Sequence, residues 1–370
     1  MAIFEKLEAN IMNSPVNNES KKVLVAMSGG VDSSAAALLL KEAGYKVTGI
    51  TMCLGIREDG DRTRCCGLDA IDDAKRVCDQ LQIPHFVFDY AGEMEERVIG
   101  KFIAEYQCGR TPNPCIDCNR YLKFGTLLRK ARGMGFDYLA TGHYARIKKQ
   151  DGEWSLLRPA DRNKDQTYFL YPIAAEDLAS ILFPLGDLNK EEVRTLTGKA
   201  RLHVANKAES QDICFVTQGN YGQFFRERNV PVIAGDIMDK SGRILGKHRG
   251  IVYYTIGQRG GLGISAKTPL YVVNIDAAKN IIVVGEKADL FSTGLIAGDI
   301  NLLTAALPRN MEAKIRYRKK PAHCDVYKVE DKLRIIFQEA QESITPGQAV
   351  VIYADDKVLG GGVIEEVLLS

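Results

Sequence analysis

From Lys21 to Thr141 short runs of apolar and β-branched residues alternate with longer stretches whose apolar positions recur at helical spacing. KKVLVAM, Lys21–Met27, predicts a buried first strand, and the Ala- and Leu-rich run Ser33–Ala43 predicts a helix stopped by Gly44. Lys46–Met52 and His85–Phe88 read as further strands, separated by a helical pattern through Leu68, Ile71, Val77, Cys78 and Leu81. Met94, Val98, Ile99, Phe102, Ile103 and Tyr106 make a broad apolar stripe before the loop GRTPNP; a helix over about Leu122–Met134 and a strand at Asp137–Thr141 follow. Such alternation predicts an α/β fold, a parallel sheet flanked by helices.

The texture changes after about Ala175. Two short helical patterns, Glu176–Phe183 and Lys190–Ala200, precede a Gly-rich stretch, and beyond Gly285 the strand-like runs EAKIRYR, HCDVYKV, KLRIIFQ and AVVIYA predict a small β-barrel. A chain of 370 residues exceeds what one core usually supports. The expected division is a leader at 1–20, a catalytic domain at 21–217, a small central domain at 218–285 with which the helical segment of about 176–202 packs, and the barrel at 286–370.

Composition narrows the function classes. The longest apolar run, Ala35–Leu40, is far short of the roughly 20 residues that span a bilayer, and the leader lacks the basic start and apolar stretch of a signal peptide. A cytoplasmic protein with no membrane role is expected. The net charge of +2 gives no overall basic field, so any nucleic-acid contact must come from local patches. Nine cysteines in segments unlike a secreted disulfide scaffold imply mostly reduced thiols.

Ser28-Gly29-Gly30-Val31-Asp32-Ser33 lies between the first strand and the first helix. Two glycines allow close backbone approach, and the free N–H groups and positive dipole end of the helix favour an anion. Ser28 and Ser33 can donate, and Asp32 can hold Mg²⁺ beside phosphates. The spelling matches neither the Walker nor the dinucleotide-binding loop. A second chemical segment is Gly109-Arg110-Thr111-Pro112-Asn113-Pro114-Cys115-Ile116-Asp117-Cys118, in which Cys118 is expected near a helix start, where the dipole would lower its thiol pKa. Cys214, in ESQDICF, is the other candidate thiol. Inert burial is the reading for Cys53, Cys65, Cys66, Cys78, Cys108 and Cys324. Cys115, Cys118 and Cys214 could together offer three thiolates to a 4Fe–4S cluster.

SGGVDS in this setting resembles the pyrophosphate loop (PP-loop) of the ATP pyrophosphatase superfamily. GRTPNP followed by Cys118, and Cys214 in S-x-x-I-C-F, resemble the bacterial tRNA-specific 2-thiouridylases, a likeness extended by GQRGGLG at Gly257–Gly263 and LGGG at Leu359–Gly362. The resemblance implies ATP and Mg²⁺ as cofactors, with ATP on Ala26, Met27, Ser28, Gly29, Gly30, Val31, Asp32, Ser33, Met52 and Gly142. It implies that Cys214 carries persulfide sulfur and Cys118 completes its transfer. Anticodon-loop contacts are implied for Asn113, Pro114, Cys115, His143, Lys164, Asp165, Gln166, Arg316, Tyr317 and Gln348. The implied reaction is ATP-dependent 2-thiolation of the wobble uridine of Lys, Glu and Gln tRNAs, with sulfur from a cysteine desulfurase directly or through a carrier protein. Cys115 departs from the family, where that position is commonly aspartate. Two other readings stay open: an amidating ligase of the same superfamily, and a non-catalytic RNA-binding protein whose C-x-x-C holds zinc.

Overall fold

The computed structural model describes residues 20–56, 68–150, 152–208, 213–216 and 220–368. The leader, Cys65 and Cys66, and the Glu209–Asp212 part of the Cys214 motif lie outside the described residues. The chain divides into two compact units, the first comprising residues to Arg97, Cys115–Phe215 and Asp356–Val358, the second Val98–Pro114, Val216–Asp355 and Leu359 onward.

In the first unit the strands are β1 (Lys22–Ala26), β2 (Lys46–Cys53), β3 (His85–Asp89), β4 (Tyr138–Ala140), the hairpin β5 (Arg146–Gln150) and β6 (Glu153–Leu157), and β7 (Ile181–Leu182). Five of them form a parallel sheet in the order β3-β2-β1-β4-β7. The chain builds outward from β1 through β2 to β3, then returns to the other side of β1 with β4. The reversal falls between β1 and β4, and the crevice at their carboxyl ends is where open α/β sheets bind ligands.

Helix Val31–Glu42 explains why this crevice is firm. Ala35, Ala36, Ala37, Leu39 and Leu40 are all fully buried, so the helix is apolar around its whole girth, as a helix packed on several sides must be. One side joins Val23, Val25, Val47 and Val77 over the sheet. The other joins Tyr144, Leu185, Leu188 and Val193. Val193 belongs to helix Lys190–Lys199, entered through a capping box in which Asn189 accepts from the Glu192 N–H and the Glu192 carboxylate accepts from the Asn189 N–H.

Three expectations are corrected here. The segment Glu176–Phe183 is a 3₁₀ helix, Ala175–Ser180, followed by β7, because the apolar Ile181–Leu182 pair completes the sheet beside β4. Helix Lys190–Lys199 packs on helix Val31–Glu42 inside the first unit, where its apolar side finds an uncovered face, instead of joining the central segment. The helix expected from Leu122 starts earlier: Pro114–Asp117 is α-helical, Cys118–Leu127 is π-helical, and Leu128–Gly133 is α-helical again. Pro114 opens it without cost because a first-turn N–H has no helical partner to lose.

The second unit holds helix Gly100–Gln107, whose Phe102 and Tyr106 rings pack on Phe225 of helix Tyr221–Glu227 at centroid distances of 6.2 and 5.4 Å. A four-stranded sheet follows, made of β8 (Gly235–Asp239), β9 (Ile244–His248), β10 (Tyr271–Asp276) and β11 (Ile281–Gly285) in the order β10-β11-β8-β9. The last strands are β12 (Phe291–Leu302), β13 (Met311–Lys314), β14 (Ala322–Val329), β15 (Lys332–Glu342), β16 (Ala349–Ala354) and β17 (Lys357–Leu368). They run β12-β15-β14-β13-β16-β17 and close as β17 pairs with β12, forming a six-stranded antiparallel barrel. Closure removes the free edges that would otherwise invite aggregation.

Leu39→Ala removes a side chain shared by the sheet-backing helix and its neighbour; a loss of about 2–5 kcal/mol in urea unfolding of the first unit is expected.

Candidate active site

The turn after β1 is built by its own hydroxyls and glycines. Gly29 has φ +67°, in the left-handed region, and a Cβ there would run into the backbone of Ala70. The Ser28 N–H donates to Ser33 Oγ at 3.1 Å, Ser33 Oγ donates to the Gly30 carbonyl at 3.2 Å, and Ser34 Oγ donates to the same carbonyl at 2.8 Å. Gly30 is the N-cap and has no side chain with which to cap the helix. The first N–H groups of helix Val31–Glu42 therefore remain for a ligand at a positive dipole end.

Two lysines reach this turn. Lys190 Nζ donates to Asp32 Oδ1 at 2.7 Å, and the buried Tyr144 hydroxyl donates to the same oxygen at 3.0 Å. Lys207 Nζ donates to the Gly29 carbonyl at 3.1 Å and to Asp73 at 2.6 Å, while His203 lies 3.0 Å from the other Asp73 oxygen. Met52, near the end of β2, pairs with Phe88 at the same end of the sheet.

The strand on the other side of the crevice meets the turn directly. A Cβ on Gly142 would lie 2.6 Å from the backbone carbon of Asp32 and the nitrogen of Ser33; only glycine allows β4 to end there. The next residue, His143, accepts or donates one hydrogen bond between Nδ1 and Thr141 Oγ1 at 2.7 Å and packs edge-on to Phe183 with centroids 6.0 Å apart. Burial, with the Lys123 ammonium beside it, holds the His143 pKa well below its ordinary value, so the imidazole is neutral.

The three thiols named from sequence come together. Cys115 and Cys118 are one turn apart on the helix that opens at Pro114, and Cys214 is close enough for their charges to act on it. Cys115 and Cys214 expose surface, yet dense protein around them strips most of the hydration a thiolate needs. Burial pushes the Cys115 thiol up to about 11 and the Cys214 thiol up to about 12, in each case reinforced by neighbouring thiols and opposed by Lys123. Burial raises Cys118 as well. The lowered thiol pKa expected for Cys118 is therefore corrected: it sits a turn inside the helix, where the dipole has faded, and desolvation wins.

Lys123 is placed by the helix type. In an α-helix, residues five apart point in different directions, but i→i+5 bonding of the π-segment brings Cys118 and Lys123 onto nearly the same face. Asn119, buried at 2% exposure, ties this helix to the Phe169 carbonyl through a 3.0 Å bond from Nδ2.

The expected cluster is not supported. Among the described residues no group of three or more His, Cys, Asp or Glu side chains is disposed to hold a metal, so their geometry lends the expected cluster no support.

The residues expected at RNA divide by unit. In the first, Lys164 ends a short 3₁₀ turn capped by Asp161, Asp165 accepts from the Thr167 N–H at 3.0 Å, and Gln166 Oε1 accepts from the Tyr144 N–H at 2.8 Å. Asp165 and Gln166 thus brace the backbone that carries Tyr144. In the second unit, Arg316 donates to the Ile256 carbonyl at 3.1 Å, Lys314 lies over the Tyr317 ring, and Gln348 donates to the Thr111 carbonyl at 2.7 Å. Arg316 and Tyr317 lie just past the end of β13, which stops at Lys314, and not on the strand that EAKIRYR suggested. The loop bearing Asn113 and Pro114 is pinned: the Thr111 N–H donates to the Pro346 carbonyl at 2.9 Å, and Gly347, at φ +91°, leaves just enough room.

Lys190, Tyr144, Lys207 and Lys123 were not legible as site residues. Lys190 reads as an ordinary first-turn lysine of a capped helix, and Lys123 is revealed only by the π-helical register, which periodicity does not forecast.

Two outcomes follow from this geometry. Gly142→Ala forces β4 away from the turn and is expected to cost about 1–3 kcal/mol in unfolding, as overpacking does. Because the thiols are raised, their alkylation by iodoacetamide should climb about tenfold per pH unit from pH 7 past pH 9 in the folded protein, whereas the unfolded chain levels near the usual ~8.5; mass spectrometry of modified peptides reads both, and a folded-state plateau at pH 8 would contradict the burial argument.

Comparison with known proteins covers all three segments. The family model described as the tRNA methyl transferase HUP domain matches residues 21–218, the tRNA methyl transferase PRC-barrel domain matches 223–286, and the aminomethyltransferase beta-barrel domain matches 292–364. A tRNA-specific 2-thiouridylase of Syntrophus aciditrophicus (strain SB) is 58% identical over 348 residues, 94% of each chain. Counterparts of the same description from Carboxydothermus hydrogenoformans and Clostridium beijerinckii are 50% and 49% identical, each spanning 94% of this chain and 98% and 99% of their own. Taken with the glycine turn, the paired thiols and the terminal barrel, these matches show that the chain belongs to the tRNA-specific 2-thiouridylase family.

Proposed function

We propose that this enzyme uses ATP to replace the C2 oxygen of the wobble uridine of tRNA with sulfur, acting on Lys, Glu and Gln tRNAs. The observation that carries the reading is that the glycine turn and the thiol cluster belong to one unit and are joined by two adjacent residues, Gly142 against the backbone of Asp32–Ser33 and His143 beside Lys123.

A uridine carbonyl oxygen is a poor leaving group, so the reaction needs it activated. The N–H groups of the Gly29–Ser33 turn and the helix dipole bind the phosphates, with Met52 and Gly142 beside adenine and ribose, while the C2 oxygen attacks the α phosphorus and pyrophosphate departs. Asp32, a half-exposed carboxylate at the turn, has the donor chemistry to hold Mg²⁺ with those phosphates; the ion supplies charge neutralisation on the leaving group. The base must be unstacked to present C2, with Asn113, Pro114 and Cys115 around it, while His143, Lys164, Asp165, Gln166, Arg316, Tyr317 and Gln348 contact the tRNA, the three residues Lys164–Gln166 at its anticodon loop.

Sulfur arrives as a persulfide on Cys214 from a cysteine desulfurase or a carrier. Its outer sulfur attacks C2, the C–O bond breaks and AMP leaves; Cys118 thiolate then attacks Cys214 Sγ, breaking the S–S bond to the new thiocarbonyl sulfur. In the alternative order Cys118 attacks first and the freed sulfide attacks C2. Either order ends in a Cys118–Cys214 disulfide that an external dithiol reduces. Since both thiols rest protonated, Lys123 is the cation available to favour the thiolate when substrate arrives.

Incubation with ATP, a persulfide donor and unmodified tRNA, followed by nucleoside mass analysis, should yield 2-thiouridine and one AMP per thiolation. Cys118→Ser and Cys214→Ser are expected to lower the yield by more than about a hundredfold, while Cys115→Asp retains it. Thiolation by Cys214→Ser would refute the persulfide route, and ATP turnover without RNA would favour the amidating ligase.

A further inference from the structure

Asp32 presents a puzzle of charge. It stands in the first turn of helix Val31–Glu42, at the spot where the positive dipole end and free N–H groups invite an anion. ATP phosphates brought there would meet a fixed carboxylate. In the free protein that carboxylate already has a partner: Lys190 Nζ at 2.7 Å, from a side chain only 12% exposed. Lys190 is itself in an uphill position, the first residue of helix Lys190–Lys199, where the dipole disfavours a cation. Nothing in the helix requires a lysine there, since the Asn189–Glu192 capping box already completes the N-terminus.

The placement is nevertheless rigid. Helices Val31–Glu42 and Lys190–Lys199 share the core of Val31, Ala35, Leu39, Leu188 and Val193, so their N-terminal ends are held as a pair with the lysine between them. The ammonium also rests 5.9 Å from the Tyr144 ring centroid, whose hydroxyl keeps its own bond to Asp32. Release of Lys190 therefore does not strip Asp32 of its last donor. A flexible four-carbon stem on a fixed base can pivot between two anions.

We infer that Lys190 is an ATP-binding residue that exchanges partners: its ammonium sits on Asp32 in the free protein and moves to the β and γ phosphates when ATP enters, remaining with the pyrophosphate as it leaves. The exchange rests on the proposed use of ATP at this turn. It frees the Asp32 carboxylate for Mg²⁺ in the same movement, so the turn is charge-compensated both empty and filled.

The test is calorimetric binding to the full-length protein, with Mg²⁺, of a β,γ-imido ATP analogue and of AMP. Lys190→Gln should weaken the analogue by roughly ten- to a hundredfold, the loss of one charge-assisted contact, and leave AMP within about twofold; Lys190→Arg should recover most of the loss. Equal binding of the analogue by Lys190→Gln and wild type, or parallel loss of AMP and analogue, would overturn the inference, the second because it signals collapse of the turn. To avoid an unpaired carboxylate, Asp32→Asn with Lys190→Gln is compared with Asp32→Asn alone, and the same analogue-selective loss is expected. If wild-type protein binds neither nucleotide, the ATP reading itself fails, a result separate from either of those.

Discussion

The constraint on which the site depends is a backbone contact that tolerates no side chain. At the reversal of strand order, the end of β4 comes down on the first residues of helix Val31–Glu42, with Gly142 over the Asp32–Ser33 peptide. That contact fixes the backbone that leads directly into His143. A parallel sheet opens a crevice at such a reversal; what is particular here is that Gly142 brings the backbone on one side so close to Asp32 and Ser33 that no side chain fits between them.

Much of this was legible in the residues. The alternation of Lys21–Thr141 specified a parallel sheet because a central strand buried on both faces, such as β1, must be apolar throughout; β3 carries an apolar run at the sheet edge with Phe86 and Val87 exposed, and β1, β2 and β3 differ from the expected ranges by a residue or so. SGGVDS was readable because glycine at positive φ and an uncapped helix start are spelled directly in sequence. The barrel was visible through its four alternating inner strands, while β12 and β17 were not singled out as strands. In β17, glycines at 360–362 hide the alternation; they are there because β12 crosses close by, with Gly298 O 2.7 Å from where a Gly362 Cβ would stand.

What was hidden was hidden for physical reasons. Ile181–Leu182 is too short to show a period, and only its pairing with β4 makes it a strand. The protonation of the thiols depends on how much protein surrounds them, a tertiary quantity, and it reversed the inference from helix position alone. Lys190 and Lys207 approach the turn from 158 and 178 residues away in the chain, beyond the reach of any local pattern.

The buried state of the thiols also bears on how the protein endures between encounters with its substrates. Thiolates attack peroxide and disulfides, and a cysteine that keeps its proton is a poor nucleophile toward either. By surrounding Cys118 and Cys214 with protein, the fold disfavours their thiolates and so slows their oxidation, even though Cys214 exposes surface.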